Sequence, residues 1–569
     1  MIWRDRDIEI KVWKGQKLKQ LISIDCETEV KPFHLTPDII TCQAYDGGDT
    51  VYYVRISDLY RFFNKHDEST FIFHNAAFDL DVLNKQVDRL PYTLLDDCRA
   101  RDTSILYRLW HLGHVGFVPH KYSLAMLTEK YLGETLDKNE NIRGTFEQFK
   151  GKPIEDIPRE WLEYGARDVL ATFDLYLVLM GMIDRIDDYD TLLSHDIQIK
   201  GDLALNHIRK NGIGFDLQMR DTWLEDMNRR LEVASDVLAT WGWVRGLKGL
   251  QQRYEQAMEY AGIKEHLPRT ASGDLSSKSD DLDAFRGNPF VDAYLEFHEL
   301  EKAMSFVKDL SSDRIHPRYN LLVNTGRTSC SKPNFQQLPR LGGVREMFRA
   351  RPNHTLIITD YSAIELATLS QVTYDRYGES TMRDKINEGK DLHRYYSSVL
   401  FNKAEQDITK DERQKAKAAN FGFPGGLGIE TFKQFASGYG LELTDSEAQD
   451  MKDVWFRAFP EMNPYMQNEV GYVFTRTGRR RANTTYCAEK NTPFQGLAAD
   501  GAKFALYNLD KEGFRVVGFI HDECIVEVSL EKGDTLVPEV EKIMIDSMAS
   551  VVPDVKIAVE SMVSEVFTK

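Results

Sequence analysis

Asp25 and Glu27 stand two residues apart at the end of an apolar run, Leu21-Ile22-Ser23-Ile24. Alternate residues of a strand share a face, so both carboxylates can point at one spot. A lone Asp-x-Glu carries little weight, since average composition gives roughly two by chance in a chain this long. The signal is the set. His74-Asn75-Ala76-Ala77-Phe78-Asp79 follows a second apolar run, Thr70-Phe71-Ile72-Phe73. Tyr164 and Asp168 lie four residues apart in a helical pattern, hence on one face. Four carboxylates and a tyrosine, each at an element end, can bind two divalent ions. Such a pair activates a water and stabilises the leaving oxygen in phosphodiester cleavage. Taken singly, Asp25 and Asp79 read as strand ends and Asp168 as a solvated carboxylate.

A second constellation lies far along the chain. Asp360-Tyr361-Ser362-Ala363-Ile364-Glu365-Leu366 follows the apolar run Thr355 to Thr359, and His521-Asp522-Glu523 follows Val516 to Ile520. An aspartate at the end of each of two adjacent strands is a natural Mg²⁺ pair, because Mg²⁺ takes few carboxylates plus substrate phosphates. Between them, Arg413, Lys417 and Phe421 recur every fourth residue. That spacing makes one helix stripe with about 6 Å between neighbours. Two cations and a ring in line suit a triphosphate followed by a sugar and base. Standing alone, the stripe would read as a solvated basic face with one core Phe.

The elements that must position these groups are legible in outline. The first part reads as α/β, with helical patterns at Tyr122 to Tyr131 and Trp161 to Met180. Roughly 191–310 is mostly helical. There Leu300, Ala303, Met304, Val307 and Leu310 mark one amphipathic face, and the polar stretch Pro268 to Asp283 reads as loop or hairpin. The last part returns to strands separated by long helical segments.

The chain has 569 residues, enough for about three to four folding units. Hydrophobic residues make up 42% and aromatics 11%, which excludes a disordered chain. No window approaches 18 uninterrupted apolar residues, so no membrane span is expected. The charged start, Met1-Ile2-Trp3-Arg4-Asp5-Arg6-Asp7, is no signal peptide. The 6 cysteines form no Cys-x-x-Cys pair, which fits a reducing cytoplasm and argues against a zinc or disulfide framework. Lys+Arg number 72 against 89 Asp+Glu, a net charge of −17. That balance does not exclude nucleic acid, because a binding groove is local. Two basic stretches, Arg340/Arg345/Arg349/Arg351 and Arg476/Arg479/Arg480/Arg481, are candidates for phosphate contact.

Taken together, the first constellation resembles the DEDD-type 3′–5′ exonucleases, in their tyrosine-containing proofreading subgroup. The likeness covers roughly residues 15–185, including Lys121-Tyr122-Ser123-Leu124 and Lys130-Tyr131-Leu132-Gly133. It implies an RNase H-like α/β domain in which Asp25, Glu27, Asp79 and Asp168 hold two divalent ions and Tyr164 orients the water. The second constellation resembles motifs A, B and C of family A DNA polymerases, the bacterial DNA polymerase I type. Further matches are Thr325-Gly326-Arg327, Asn334 with Gln336, Gly389-Lys390-Asp391-Leu392-His393 and Pro493-Phe494-Gln495-Gly496. The resemblance implies a right-hand polymerase domain, with an α+β palm and helical thumb and fingers. The expected division is exonuclease 1–190, thumb 191–310, palm 311–371, fingers 372–490 and palm again 491–569.

The same likeness implies residue roles. Asp360 and Asp522 hold two Mg²⁺, helped by the backbone carbonyl of Tyr361, and Mn²⁺ can substitute. Arg413, Lys417 and His393 bind phosphates, Phe421 packs on the incoming sugar and base, and Glu365 blocks a 2′-OH. Arg327, Asn334, Gln336, Gln495 and His521 face primer–template DNA. Glu523 is a ligand or a second carboxylate behind the ligands. Deoxynucleoside triphosphates and primer–template are the expected substrates. A helicase, primase or single-strand-binding partner is not readable from these residues.

Two departures stand out. Many relatives place a Tyr four residues after the motif B Phe, whereas this chain has Gly425, which bears on template-base positioning. The chain begins directly with the exonuclease pattern, without a 5′-nuclease domain, and the helical middle part is short. That plan most resembles a phage replicative polymerase. Glu365 and the exonuclease oppose a single-subunit RNA polymerase. The complete set Asp360, Asp522, Arg413 and Lys417 opposes a nuclease whose second half only binds DNA.

Overall fold

The fold is taken from a computed structural model that describes residues 1–136, 142, 144–183, 190–270, 272–467 and 471–568. The first constellation rests on a six-stranded sheet. Its strands are β1 (Glu9–Val12), β2 (Leu21–Thr28), β3 (Ile39–Tyr45), β4 (Thr50–Val54), β5 (Thr70–Phe73) and β6 (Ala100–Asp102), in the order β1-β4-β3-β2-β5-β6. β2 runs antiparallel to β3 and parallel to β5, which runs parallel to β6. β3 is buried along its whole length, as expected for a central strand covered on both faces. Helices α1 (Ala76–Asn84), α2 (Thr103–Val115) and α3 (Arg159–Ile183) cover it.

Gly165 sets the depth of α3. A Cβ there would lie 2.0 Å from the Gln43 amide nitrogen and 3.0 Å from the Tyr53 hydroxyl, so no other residue lets this helix settle so close to the sheet. That approach carries the neighbouring Tyr164 and Asp168 to the end of β2. Asp102 organises the opposite corner. Its carboxylate accepts the N–H groups of Ala76 (2.7 Å) and Ser104 (2.7 Å), tying the starts of α1 and α2 to β6.

Helix α4 (Thr191–Asn211) packs against α1 on one side and against the second half of the chain on the other. α5 (Leu217–Thr240) and α6 (Pro289–Val307) pair around an aromatic core that includes Trp243, Tyr254, Phe290, Tyr294 and Phe297. The face marked by Leu300, Ala303 and Val307 is buried, as its spacing predicts. The polar stretch Pro268 to Asp283, which precedes that helix, folds back through the paired Arg269 and Leu275, residue 271 lying outside the described residues.

The second sheet is antiparallel. Strands β7 (His354–Tyr361), β8 (Arg515–Ile520), β9 (Glu523–Ser529) and β10 (Val559–Ser564) lie in the order β8-β9-β7-β10. Between β7 and β8 come α7 (Ile364–Tyr377), α8 (Leu392–Phe401), α9 (Lys410–Gly422), α10 (Asp445–Ala458) and α11 (Tyr486–Lys511). α11 and α12 (Gly533–Ala549) pack on each other behind the sheet. α11 is continuous across residue 490, so the expected fingers–palm boundary falls inside one helix. α9 begins with a capping box, Thr409 and Glu412 exchanging side-chain and backbone bonds, which fixes where the Arg413–Phe421 stripe starts.

Candidate active sites

In the first half, one carboxylate oxygen from each of Asp25, Glu27 and Asp168 falls within 4.8 Å of the others. Strand alternation and the α3 approach bring them together as anticipated. They open, with Tyr164, into a cavity of about 880 Å³ also walled by His74, His120 and Tyr122. Burial pushes Asp25 up to about 7. Asp79 is buried next to them and its carboxylate accepts the Cys26 N–H at 3.0 Å. It therefore stands outside the group of three, and burial followed by the nearby Asp25 raises its pKa well above the usual carboxylate range. The Tyr164 ring lies 6.1 Å from Phe146, which orients it at the cavity wall. Burial drives His74 down to about 4, so a neutral imidazole forms part of the cavity wall.

In the second half, the sheet register creates a row of acids. Asp360 pairs with Glu523 on β9 and with Glu560 on β10. Residues directly opposite in antiparallel strands share a face, and like charges there repel. His521 and Asp522 form the two-residue turn between Ile520 and Glu523, with His521 at φ 60°. This left-handed conformation is unusual for a non-glycine residue and turns Asp522 toward Asp360. Burial, then the charge of Asp360, pushes Asp522 up to about 7. Tyr361 points away, its hydroxyl donating to the Met544 carbonyl at 2.6 Å.

A cavity of about 580 Å³ begins at Asp360 and Tyr361 and is closed by His393, Arg413, Lys417 and Phe421. The Phe421 ring is 5.5 Å from the His393 ring and 6.0 Å from the Lys417 ammonium. Arg413 Nε donates to Asp391 at 2.7 Å, and Asp391 also caps α8 through the His393 N–H at 2.8 Å. Trp455 can only donate, and its Nε1–H reaches Asn420 Oδ1 at 3.0 Å. Asn420 Nδ2 is thereby left to donate to His393 Nδ1, 3.0 Å away. The imidazole, held neutral because burial lowers it to about 4, then carries its proton on Nε2.

A second cavity of about 870 Å³ adjoins the acids, lined by Asp360, His521, Asp522, Glu523, Gln336 and the arginines Arg340 and Arg345. Gln336 donates to the Thr328 hydroxyl at 2.7 Å, and Asn334 donates to Gln337 at 2.9 Å. Arg327 is ion-paired with Glu365, so the expected DNA contact and the expected sugar gate touch each other. Arg349 pairs with Asp216 at 2.9 Å and Arg351 with Glu527 at 2.6 Å, leaving Arg340 and Arg345 to the cavity.

Within the second basic stretch, Arg479 corrects the expectation. Arg479 is 1% exposed and its guanidinium reaches Asp500 at 2.6 Å and 2.9 Å. It is a structural ion pair, and spacing alone cannot tell it from Arg480, which lies over Tyr472 at 5.0 Å.

Sequence reasoning also missed Glu560, Lys556, Asn420 and the pairing role of Asp391. Glu560 and Lys556 carry no motif and reach the cavity through the pairing of β7 with β10. The order Asn420-Phe421 held the one available signal, a polar residue on the buried face of α9.

Family comparison agrees with this geometry. A family model described as DNA polymerase family A matches residues 243–569, and one described as 3′-5′ exonuclease matches residues 6–184. DNA polymerase I of Aquifex aeolicus is 28% identical over 538 residues, covering 88% of this chain and 88% of that protein. The thermostable DNA polymerase I of Thermus aquaticus is 27% identical over 423 residues, where the chain spans 68% of itself and 49% of the relative. Among solved structures, the POL domain of Pol1 from M. smegmatis, in complex with DNA primer-template and dNTP, superposes with a TM-score of 0.73. That match is 20% identical, covers 98% of this chain and 99% of the other, and shows the fold. The chain is a DNA polymerase with a 3′–5′ exonuclease domain ahead of its polymerase domain, and it belongs to DNA polymerase family A.

Proposed function

We propose that the chain extends primers on a DNA template by two-metal-ion nucleotidyl transfer and removes misincorporated ends at a separate two-metal site. The observation that carries this is the 580 Å³ cavity with carboxylates on one wall and Arg413, Lys417 and His393 on the other. A deoxynucleoside triphosphate matches that polarity, its phosphates toward the cations and its α-phosphorus toward Asp360.

The residues fit divalent ions. Asp360 stands between Glu523 and Glu560, and Asp522 is pushed up to about 7 in part by Asp360, so like charges crowd one spot. Asp360 and Asp522, with the Tyr361 carbonyl, would hold two Mg²⁺; Asp25, Glu27 and Asp168, with Asp79 behind them, would hold two more. Bound there, the ions acidify the attacking hydroxyl or water and offset charge on the phosphate oxygens.

The remaining steps belong to the protein. Arg413 exchanges Asp391 for a phosphate, Lys417 neutralises another, and His393 donates from Nε2. Phe421 packs on the sugar and base. Glu365 takes the space of a 2′-hydroxyl, and Arg327, Asn334, Gln336, Gln495 and His521 serve the primer–template. In the exonuclease cavity, Tyr164 orients the attacking water. The proposal extends to replication of a viral genome, for which the short helical segment between the two catalytic halves is the support.

Primer extension with and without Mg²⁺, on matched and mismatched primers, tests the reading. Mg²⁺-dependent extension, with mismatched ends trimmed first, is expected. Extension without divalent ions would remove the metal assignment, and trimming without extension would favour a nuclease that only binds duplex.

A further inference from the structure

A lysine is buried where α4 and α11 meet. Lys503, on α11, is 0% exposed and lays its stem on α4. Gly201 makes that possible, since a Cβ there would lie 3.0, 3.1 and 3.2 Å from the Lys503 Cβ, Cγ and Cδ atoms. The Lys503 Nζ donates to Gln198 Oε1 at 2.6 Å and to the Gly326 carbonyl at 2.7 Å. Gln198 is itself fully buried and donates through Nε2 to Asp500 at 2.9 Å. Among the described residues Lys503 forms no ion pair, and burial lowers it to about 7. A buried cation held by amide and carbonyl oxygens costs more than an apolar side chain of the same length. Its place is accounted for by what it holds.

That is the turn Thr325-Gly326-Arg327. The Gly326 N–H donates to the Val323 carbonyl at 2.8 Å, and the Val323 N–H to the Arg327 carbonyl at 2.9 Å, so the turn is tight. Gly326, at φ +92°, is buried, and a Cβ on it would meet the Arg479 guanidinium at 2.2 Å. Its buried carbonyl needs a donor from within the protein, and Lys503 supplies one. A carbonyl and the N–H that follows it lie in one rigid plane. Holding the Gly326 carbonyl therefore sets the direction in which the chain enters Arg327. Arg327 in turn is ion-paired with Glu365.

We infer that Lys503 is a positioning residue for the polymerase site. It holds the Gly326 carbonyl from inside the core and so aims Arg327 at Glu365 and at the primer–template. Gln198 and Gly201, both on α4, aim Lys503 in their turn. The inference rests on the reading above that Arg327 serves the primer–template and Glu365 the sugar.

The test uses the full chain. Lys503→Met keeps the length of the stem and removes the donor. It should raise KM for primer–template on the order of tenfold, the effect of one buried acceptor left unsatisfied. It should also raise the ratio of ribo- to deoxynucleotide incorporation and leave single-strand hydrolysis unchanged. Gly201→Ala keeps the ammonium but pushes its stem aside. It should show the same selective losses in milder form, and it carries the test if Lys503→Met does not fold. Arg327→Ala closes a double-mutant cycle. Adding Lys503→Met to Arg327→Ala should raise KM no further, because a positioning residue acts only through the group it positions. Additive losses in the double variant, or an equal loss of single-strand hydrolysis, would overturn the role. An impaired Arg327→Ala beside a parent-like Lys503→Met would overturn it as well. An Arg327→Ala variant that matches the parent in KM would instead remove the primer–template reading of Arg327, and this role with it.

Discussion

Arg479→Met separates structural charge from DNA-binding charge. The Arg479 and Asp500 side chains are 1% and 0% exposed, and two bonds of 2.6 Å and 2.9 Å join them. Gly326 and Gly496 leave the space the guanidinium fills, since a Cβ on either would come within 2.6 Å of it. Removing the cation leaves Asp500 buried, accepting from Gln198 at 2.9 Å and from Thr477. Breaking a buried pair from one side costs about 3–5 kcal/mol, most of it the uncompensated charge. At about 2–4 °C per kcal/mol for a unit of this size, the melting temperature should fall by roughly 6–20 °C.

Arg480 is the contrast. It stacks over Tyr472 at 5.0 Å and is partly exposed, so its loss should cost at most about 1 kcal/mol. If it meets a phosphate, Arg480→Met should lower the slope of log affinity against log salt by about one. Thermal melts and salt titrations of primer–template binding read both quantities. Arg479→Met should melt early and keep the parent slope, and adding Asp500→Leu should recover much of the loss, because two apolar partners leave no buried charge. Parent-like melting of Arg479→Met together with a flattened slope would refute the assignment.

Asp522→Ala should abolish primer extension and spare single-strand degradation, while Asp25→Ala with Glu27→Ala should do the reverse; either change silencing both activities in a folded protein would merge the two sites. Glu365→Ala should admit ribonucleotides at some cost in rate, read as the ratio of ribo- to deoxynucleotide incorporation. Phe421→Tyr should relax discrimination against dideoxynucleotides by about 5- to 150-fold, the worth of one satisfied polar group in a dehydrated site, in an exonuclease-silenced background. Asp522 titrates up to about 7, and only its deprotonated form binds cations, so Mg²⁺ affinity at the polymerase site should rise with pH and level off above that value. Calorimetric titration at several pH values checks this, and a flat affinity between pH 6 and 8 would contradict it.

The parts that were legible are those where local pattern and chemistry coincide. Asp25, Glu27 and Asp360 lie in the later halves of strands whose apolar runs are visible in the chain, and Tyr164 with Asp168 needs only helical spacing. What stayed hidden depends on pairing across long separations. Glu560 joins the acids because β10 pairs with β7, and no local feature near residue 560 announces that choice. The guanidinium of Arg479 and that of Arg480 are alike in sequence, and only burial against Asp500 makes one a strut. The approach of α3 was hidden for the same reason, since Gly165 matters only once Gln43 and Tyr53 are known to lie beneath it.

Gly425 shows how a departure at one residue is absorbed by others. A Cβ there would lie 3.1 Å and 3.2 Å from the amide atoms of Asn491, so the space beside the end of α9 is already taken by a side chain from α11. Asn491 donates to the Gly425 carbonyl at 3.3 Å and to the Cys487 carbonyl at 2.8 Å, and Gln495 reaches Asn491 Oδ1 at 3.5 Å. A tyrosine at 425 would displace Asn491 and pull on Gln495, one of the residues proposed to face the primer–template. The absent ring and the amide that fills its place are therefore one feature of this chain. A polar contact ties the end of motif B to the helix that bears Gln495. Gly425 supplies the room for that contact and Asn491 the bonds.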